Sequence, residues 1–330
     1  MNFRKFGGTD LTVSEIGFGA WGIGGPSMAG ETPIGWGKVD DQVSINALKK
    51  SFELGINFYD TADFYGLGHS EELIGNVFCN RKDILVASKV GHRIGEDNTI
   101  ILDYSKKYIL EACEKSLKRL KRDAIDFYQL HSAKINHLEN GECIDAMEKL
   151  KKEGKVRYWG LSLNTFNPFP EAEYLMKNNL GDGFQIVFNI INQKGYDVIK
   201  EANQKGYGII ARMPLQFGLL TGKFNKDTKF EKNDHRAFRL TPEILSQSLA
   251  QLEDVWKIAE KYNISKTSFS LSFILALKEI STVIPGIKTA EQAISNTSDL
   301  IKISEKDFEK LREIYEDKLK MVVELMQRQG

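Results

Sequence analysis

The sequence predicts an α/β fold, a single-domain (β/α)8 TIM barrel, and three features of the chain predict it. Short apolar runs alternate with helix-period segments from Ile16 onward, about eight such runs fit into 330 residues, and the runs are apolar on both faces. Strands buried on both faces and separated by helices make a parallel sheet. About eight units in this length favour a closed barrel over an open doubly wound sheet.

The first run is Ile16-Gly17-Phe18-Gly19. Residues 56–60 follow a helix in which Ile45, Leu48 and Phe52 share one face and Gly55 supplies the stop. Residues 84–88 lead to a helix that Ser105 can cap, with Ile109, Ala112, Cys113, Leu117 and Leu120 on its apolar stripe. Residues 125–130 precede a helix that turns Ile144, Met147 and Leu150 inward and ends at Gly154. Runs at 156–161, 184–188, 208–211 and 282–284 complete the series. Before it, residues 3–13 read as a β-hairpin turning at Gly7-Gly8-Thr9-Asp10 and capping the barrel bottom. Residues 213–241 exceed the repeat as a long polar connection after the seventh strand. Residues 304–326 add an amphipathic helix that buries Phe308, Leu311, Tyr315, Leu319 and Val322.

Composition narrows the function classes. A chain 42% hydrophobic and 27% charged fits a globular protein with a sizeable core. Lys+Arg and Asp+Glu both number 45, so net charge points to neither a nucleic-acid nor an anionic-membrane partner. No apolar run approaches the roughly 20 residues of a membrane span. The opening Met1-Asn2-Phe3-Arg4-Lys5-Phe6 has no apolar signal core, so a cytoplasmic setting is expected. Cys79, Cys113 and Cys143 lack CxxC spacing, and the last two read as small buried residues on helix faces. The histidines show no HxH or HExxH spacing, so neither a metal nor metal-dependent hydrolysis is expected. Gly17-Phe18-Gly19-Ala20-Trp21-Gly22 satisfies GxGxxG, with Asp40 at a tempting distance. The dinucleotide turn needs a helix opening at those glycines, and the continuation Ile23-Gly24-Gly25-Pro26 cannot start one.

In such a barrel the C-terminal strand ends face the active site. Asp60 closes the second strand and Tyr65 follows in its loop; Lys89 closes the third and His131 the fourth. Ser162 with Asn164 ends the fifth, Gln185 lies in the sixth, and Arg212 closes the seventh. Singly these are a loop aspartate, a packing tyrosine, a solvated lysine and a satisfied histidine; it is their convergence on one mouth that points to chemistry. An unperturbed tyrosine titrates near about 10, too high for an efficient acid. A neighbouring ammonium is expected to lower that pKa, while a carboxylate keeps the ammonium charged and placed. A neutral imidazole would then turn a carbonyl oxygen toward the phenol as hydride reaches carbon.

Asn57-Phe58-Tyr59-Asp60-Thr61-Ala62-Asp63-Phe64-Tyr65-Gly66 resembles the signature of the aldo-keto reductases. Ala87-Ser88-Lys89-Val90, Asp126-Phe127-Tyr128-Gln129-Leu130-His131 and Gly160-Leu161-Ser162 resemble that family's next motifs in order. The stretch from Phe6-Gly7-Gly8-Thr9 to Gly19, and Pro285-Gly286-Ile287-Lys288, match as well, so the resemblance covers nearly the whole chain. It implies one NADP(H)-dependent oxidoreductase barrel that reversibly reduces a small aldehyde or ketone. By it Tyr65 is the general acid, Lys89 and Asp60 tune it, and His131 orients the carbonyl. Ser162 and Gln185 match positions that bind the nicotinamide carboxamide. Asn164 would join them, although Leu163 separates it from the serine that adjoins it in many members.

Arg212-Met213-Pro214-Leu215-Gln216-Phe217-Gly218-Leu219-Leu220-Thr221-Gly222-Lys223 resembles the long-loop branch that includes the potassium-channel beta subunits. There the loop covers the cofactor diphosphate, which implies cofactor contacts at Pro214, Leu215 and Gly218 and charge neutralisation by Lys223. Arg212 stands where many members stack an aromatic on nicotinamide; a guanidinium plane can also stack. Gly286, Lys288, Gln292 and Asn296 match the adenosine-end motif, with Lys288 implied as the 2′-phosphate partner that favours NADPH. Asn233-Asp234-His235-Arg236 is read as a further phosphate contact or a polar lid. Trp21 matches an aromatic substrate wall. The resemblance leaves a second function open, an NADPH-sensing regulatory subunit with little turnover. Channel subunits place an amide where this chain has His131, which favours the enzyme.

Overall fold

Eight parallel strands pair in chain order: β1 (Phe18–Gly19), β2 (Phe58–Asp60), β3 (Leu85–Val90), β4 (Ile125–His131), β5 (Val156–Ser162), β6 (Gly183–Val187), β7 (Gly208–Arg212) and β8 (Thr282–Ile284). Parallel bridges from Ile16 to Val283 and from Gly19 to Gly286 join the first strand to the last and close the ring. The computed structural model describes residues 1–330 apart from Glu31, Trp36, Lys38, Asn80, Lys232 and Asn233. The eight expected strands are all present, with β3 running two residues past its expected end and so taking in Lys89 and Val90.

Alternation along these strands divides the core. Phe58, Leu85, Ala87, Phe127, Ile210 and Ile284 gather inside the barrel with Phe6, Leu11 and Val13. The last three belong to the N-terminal hairpin, Phe3–Lys5 against Thr12–Ser14, which plugs the bottom as expected. The Phe6 ring meets Phe127 edge-on at 4.9 Å. Side chains facing outward, including Tyr128, Trp159 and Ile209, pack in the larger layer under the helices. The helices follow the sequence signals: Asp40 accepts from the Val43 amide to start Asp41–Glu53, and Ser105 accepts from Tyr108 to start Lys106–Leu120. Cys113 and Cys143 are buried on helix faces. Gly17 to Gly22 runs into a 3-10 turn, Ala20–Ile23, not into an α-helix, which disposes of the Rossmann alternative.

Three segments depart from expectation. A hairpin of His92–Ile94 with Ile100–Leu102 follows β3; its strands are short and only partly buried, so they carry no clear hydrophobic period. The connection at 213–241 is not merely polar. It folds a 3-10 segment, Gln216–Thr221, that buries Leu219 and Leu220, and a short helix, His235–Arg239, whose first turn Asp234 caps through the Arg236 amide. The C-terminal helix is interrupted by a π-helical turn, Tyr315–Leu319, between Glu305–Ile314 and Lys320–Gln329, and all five expected apolar residues are buried. No described helix is long and apolar enough to cross a membrane.

Candidate active site

Parallel register sets the site. Lys89 of β3 lies opposite Gln129 of β4, His131 opposite Ser162 of β5, and Ser162 opposite Gln185 of β6. With side chains alternating across each strand, Asp60, Lys89, Gln129 and Gln185 reach one inner layer. Lys89 is fully buried and its three ammonium protons meet three acceptors: Asp60 Oδ2 at 2.6 Å, the Thr61 carbonyl at 2.8 Å and the Tyr65 hydroxyl at 3.2 Å. The other carboxylate oxygen of Asp60 accepts from Gln185 Nε2 at 2.7 Å and Gln129 Nε2 at 3.2 Å. A buried ion pair is retained only with such full satisfaction. Because the Tyr65 oxygen accepts from Lys89, its own O–H proton remains available to another acceptor.

The electrostatic balance differs in sign from the sequence expectation. Burial raises the Tyr65 pKa above its ordinary 10.0, and the opposing pull of Lys89 does not cancel the rise. Lys89 therefore limits the increase, and the tyrosine rests as a neutral acid. Burial pulls the Lys89 pKa down, but Asp60 and Tyr65 outweigh it and hold the ammonium above its ordinary range. Burial, reinforced by His92, Lys89 and Arg212, drives His131 well below 6.5 and so keeps it neutral near pH 7. Its ring stands perpendicular to Tyr65, with centroids 6.0 Å apart and planes at 83°.

Tyr65 reaches this position because of the residue after it. Gly66 has φ +62°, and an added Cβ would lie 1.9 Å from the Gly24 carbonyl oxygen. Gly66→Ala is therefore expected to cost about 1–3 kcal/mol in unfolding free energy and to reduce turnover by displacing the phenol. Thermal unfolding alongside steady-state rates checks both, and an unchanged melting temperature would mean the loop relaxes freely.

Around Tyr65 the structure also brings Trp21 and Arg212. Trp21 stacks beside Tyr65 at 6.2 Å, with its indole N–H on the Ile34 carbonyl and its face met edge-on by His235 at 5.3 Å. Arg212 donates to the Leu163 carbonyl at 3.1 Å and to Thr165 Oγ1 at 3.0 Å, which ties the ends of β7 and β5 together. Its Nε is buried without a partner, as is Nδ2 of Asn296 in the helix Ala290–Thr297. Buried unpaired donors are rare, and these two suit a ligand rich in acceptors.

Further along, Gln292 accepts from the Lys288 amide at 2.7 Å, with Gly286 exposed just after β8. Burial, then Arg236, lowers the Lys288 pKa against the pull of Asp234, so two cations and one carboxylate share this region. Asp234 and Arg236 form an ion pair at 2.6 Å. Pro214 is buried, Leu215 and Gly218 are half-buried, and Lys223 is exposed. Asn233 lies outside the described residues. These donors and cations fit a ligand that carries phosphate groups.

One expected residue is not brought in. Asn164 is exposed, and its Oδ1 accepts from the Phe166 and Asn167 amides at 2.9 and 3.0 Å, so its carboxamide builds the loop. Leu163, between Ser162 and Asn164, is buried. Conversely, sequence reasoning missed Gln129, His92 and Tyr104. Gln129 carried a signal, a polar residue two before His131 in an apolar strand and hence on the same side. The Tyr104 hydroxyl donates to the His131 carbonyl at 2.5 Å, and His92 lies beside the His131 ring.

Comparison with known proteins gives the family. The family profile described as "Aldo/keto reductase family" matches residues 15–316. An uncharacterized oxidoreductase, YqkF of Bacillus subtilis, is 34% identical over 90% of this chain and 90% of its own. A protein of Escherichia coli named NADH-specific methylglyoxal reductase is 27% identical, covering 94% of this chain and 97% of its own. The solved structure of a glycerol dehydrogenase from Gluconobacter oxydans superposes with a TM-score of 0.80 at 27% identity, covering 96% of this chain and 95% of that one. With the barrel, the Asp60–Lys89–Tyr65 network and a profile match over most of its length, the chain belongs to the aldo/keto reductase family.

Proposed function

We propose that this single-domain chain is an NADPH-dependent reductase of a small aldehyde or ketone, running in reverse as an alcohol dehydrogenase. The observation that carries the reading is the Tyr65 hydroxyl, which accepts from Lys89 and so keeps its own proton for a carbonyl oxygen. Bound nicotinamide would supply hydride to the carbonyl carbon. Tyr65 donates its proton to the oxygen as negative charge develops there, and neutral His131 orients that oxygen from the perpendicular side. Lys89, held by Asp60, stabilises the phenolate left behind, and in reverse the phenolate recovers the proton. Ser162 and Gln185 would grip the carboxamide, and Arg212 would face the ring. Trp21 forms one wall for the substrate. The relatives named for methylglyoxal and glycerol make small oxygenated carbonyls the first substrates to try.

For the cofactor, Lys288 with Arg236 nearby supports a 2′-phosphate partner, although one relative is named NADH-specific. Tryptophan quenching with each nucleotide, followed by loss of cofactor absorbance on adding methylglyoxal or glyceraldehyde, tests the reading. NADPH is expected to bind more tightly and to be consumed. Lys288→Ala is expected to weaken NADPH roughly tenfold or more while leaving NADH little changed. Tight binding with no turnover of any carbonyl would favour the regulatory-subunit reading. Failure to bind either nucleotide would overturn the proposal.

A further inference from the structure

β3 leads directly into the hairpin whose first residue is His92. The His92 ring lies flat on that of His131, with centroids 4.2 Å apart and planes at 15°. Phe64, from the loop that also carries Tyr65, braces His92 edge-on at 5.5 Å. His131 therefore has a ring on its face as well as Tyr65 at its edge.

The backbones of both histidines are pinned to match. Tyr104 donates to the His131 carbonyl at 2.5 Å, Tyr108 donates to the His92 carbonyl at 3.3 Å, and the Asp103 amide donates to Gly91 at 2.8 Å. Gly91, between β3 and His92, has φ +127°, and a Cβ there would lie 2.1 Å from the Tyr104 ring. Glycine is thus what lets the hairpin return close enough for the two imidazoles to touch.

Nδ1 of His131 is buried and has no hydrogen-bond partner. An acceptor left unpaired in that place costs less than an N–H donor would, so the proton belongs on Nε2. We propose that His92 is a positioning residue: its stacked ring fixes the His131 plane so that Nε2, not Nδ1, offers a proton to the carbonyl oxygen beside Tyr65. This rests on the reductase reading for its purpose, though not for its geometry.

The neighbours of His131 agree. Lys89 from β3, Arg212 from β7 and His92 from the hairpin all disfavour a positive charge on it, after burial itself. Tyr65 from the β2 loop is a neutral acid, and behind Tyr104 the His137 ring sits 4.5 Å from the tyrosine ring. Burial also lowers His92 to about 4, against the pull of the His131 backbone carbonyl. Both rings are neutral near pH 7, as a face-to-face pair requires.

Long-range 1H–15N NMR on histidine-labelled protein tests this, with wild type, His92→Ala and His92→Phe compared and turnover of methylglyoxal with NADPH measured in parallel. In wild type His131 is expected as one Nε2–H tautomer, neutral at pH 7 and titrating well below an ordinary histidine. His92→Ala is expected to mix the tautomers, move the His131 titration up toward about 6.5, and lower kcat at least about tenfold with a smaller change in KM. His92→Phe restores the stack and should rescue both the tautomer and most of the lost kcat. A His131 signal that is identical in His92→Ala and wild type overturns the inference, as does an Ala-like tautomer mixture in His92→Phe. A wild type that reduces no carbonyl but shows the tautomer change in His92→Ala supports the stack and overturns the reductase reading alone.

Discussion

On the proposed reductase reading, Tyr65→Phe is expected to lower kcat by about 10²–10⁴ and to leave nucleotide affinity nearly unchanged. The hydroxyl contacts Lys89 and faces the space beside His131, while the ring that packs against Trp21 is retained. The loss should therefore fall on proton delivery rather than on cofactor binding. Lys89 keeps Asp60 and Thr61 as partners in the variant, so the network stays folded. Single-turnover rates with pre-bound NADPH separate the chemical step from binding. Retention of more than about a tenth of the wild-type rate, well outside the range expected for a lost acid, would move the acid to His131 or to water.

Lys89→Met carries the largest expected cost in stability. Its side chain is 0% exposed and that of Asp60 3%, so removing the cation strands a carboxylate oxygen in the barrel interior. Breaking one partner of a buried pair costs about 3–5 kcal/mol, and activity should fall with it because the phenol loses its cation. The double variant Lys89→Met/Asp60→Asn is expected to regain much of the stability and none of the activity. Urea unfolding of wild type, Lys89→Met, Asp60→Asn and the double variant tests this, and additive losses in the double variant would show that the two side chains do not act as a pair. The folded environment holds Lys89 above its ordinary 10.5. The lysine's contribution is thus fully present below that pH and fades only as pH rises through the folded value. The deficit should be flat across neutral pH.

The strands were legible because both their faces are buried, which leaves an uninterrupted apolar run with a polar residue only where the site begins. Asp60, Lys89 and His131 stood out as such residues, and Tyr65 through its loop motif. Gln129 obeys the same rule but sits inside its run, where an amide among apolar neighbours reads as a strand irregularity until Asp60 is seen to need a second donor. His92 and Tyr104 were not legible at all. Their roles come from the hairpin His92–Leu102 and the turn after it, and its two three-residue strands alternate too briefly to announce themselves. Asn164 turns its carboxamide oxygen into its own loop, a turn that family spacing does not report.

The ring of strands is uneven. β4 and β5 are in register over six residue pairs, whereas β1 contains two residues and meets β8 through two isolated bridges. Amides of Gly17, Gly19, Val283 and Ile287 supply that closure. Such a seam is where a barrel opens first by local unfolding, with a free energy below that of the whole. Gly286, beside the seam, is where the adenosine end would lie, so occupying that end and keeping the barrel shut become one linked equilibrium. On the proposed reading a nucleotide held there would act as a splint across the joint, and its loss would register first as faster amide exchange along it.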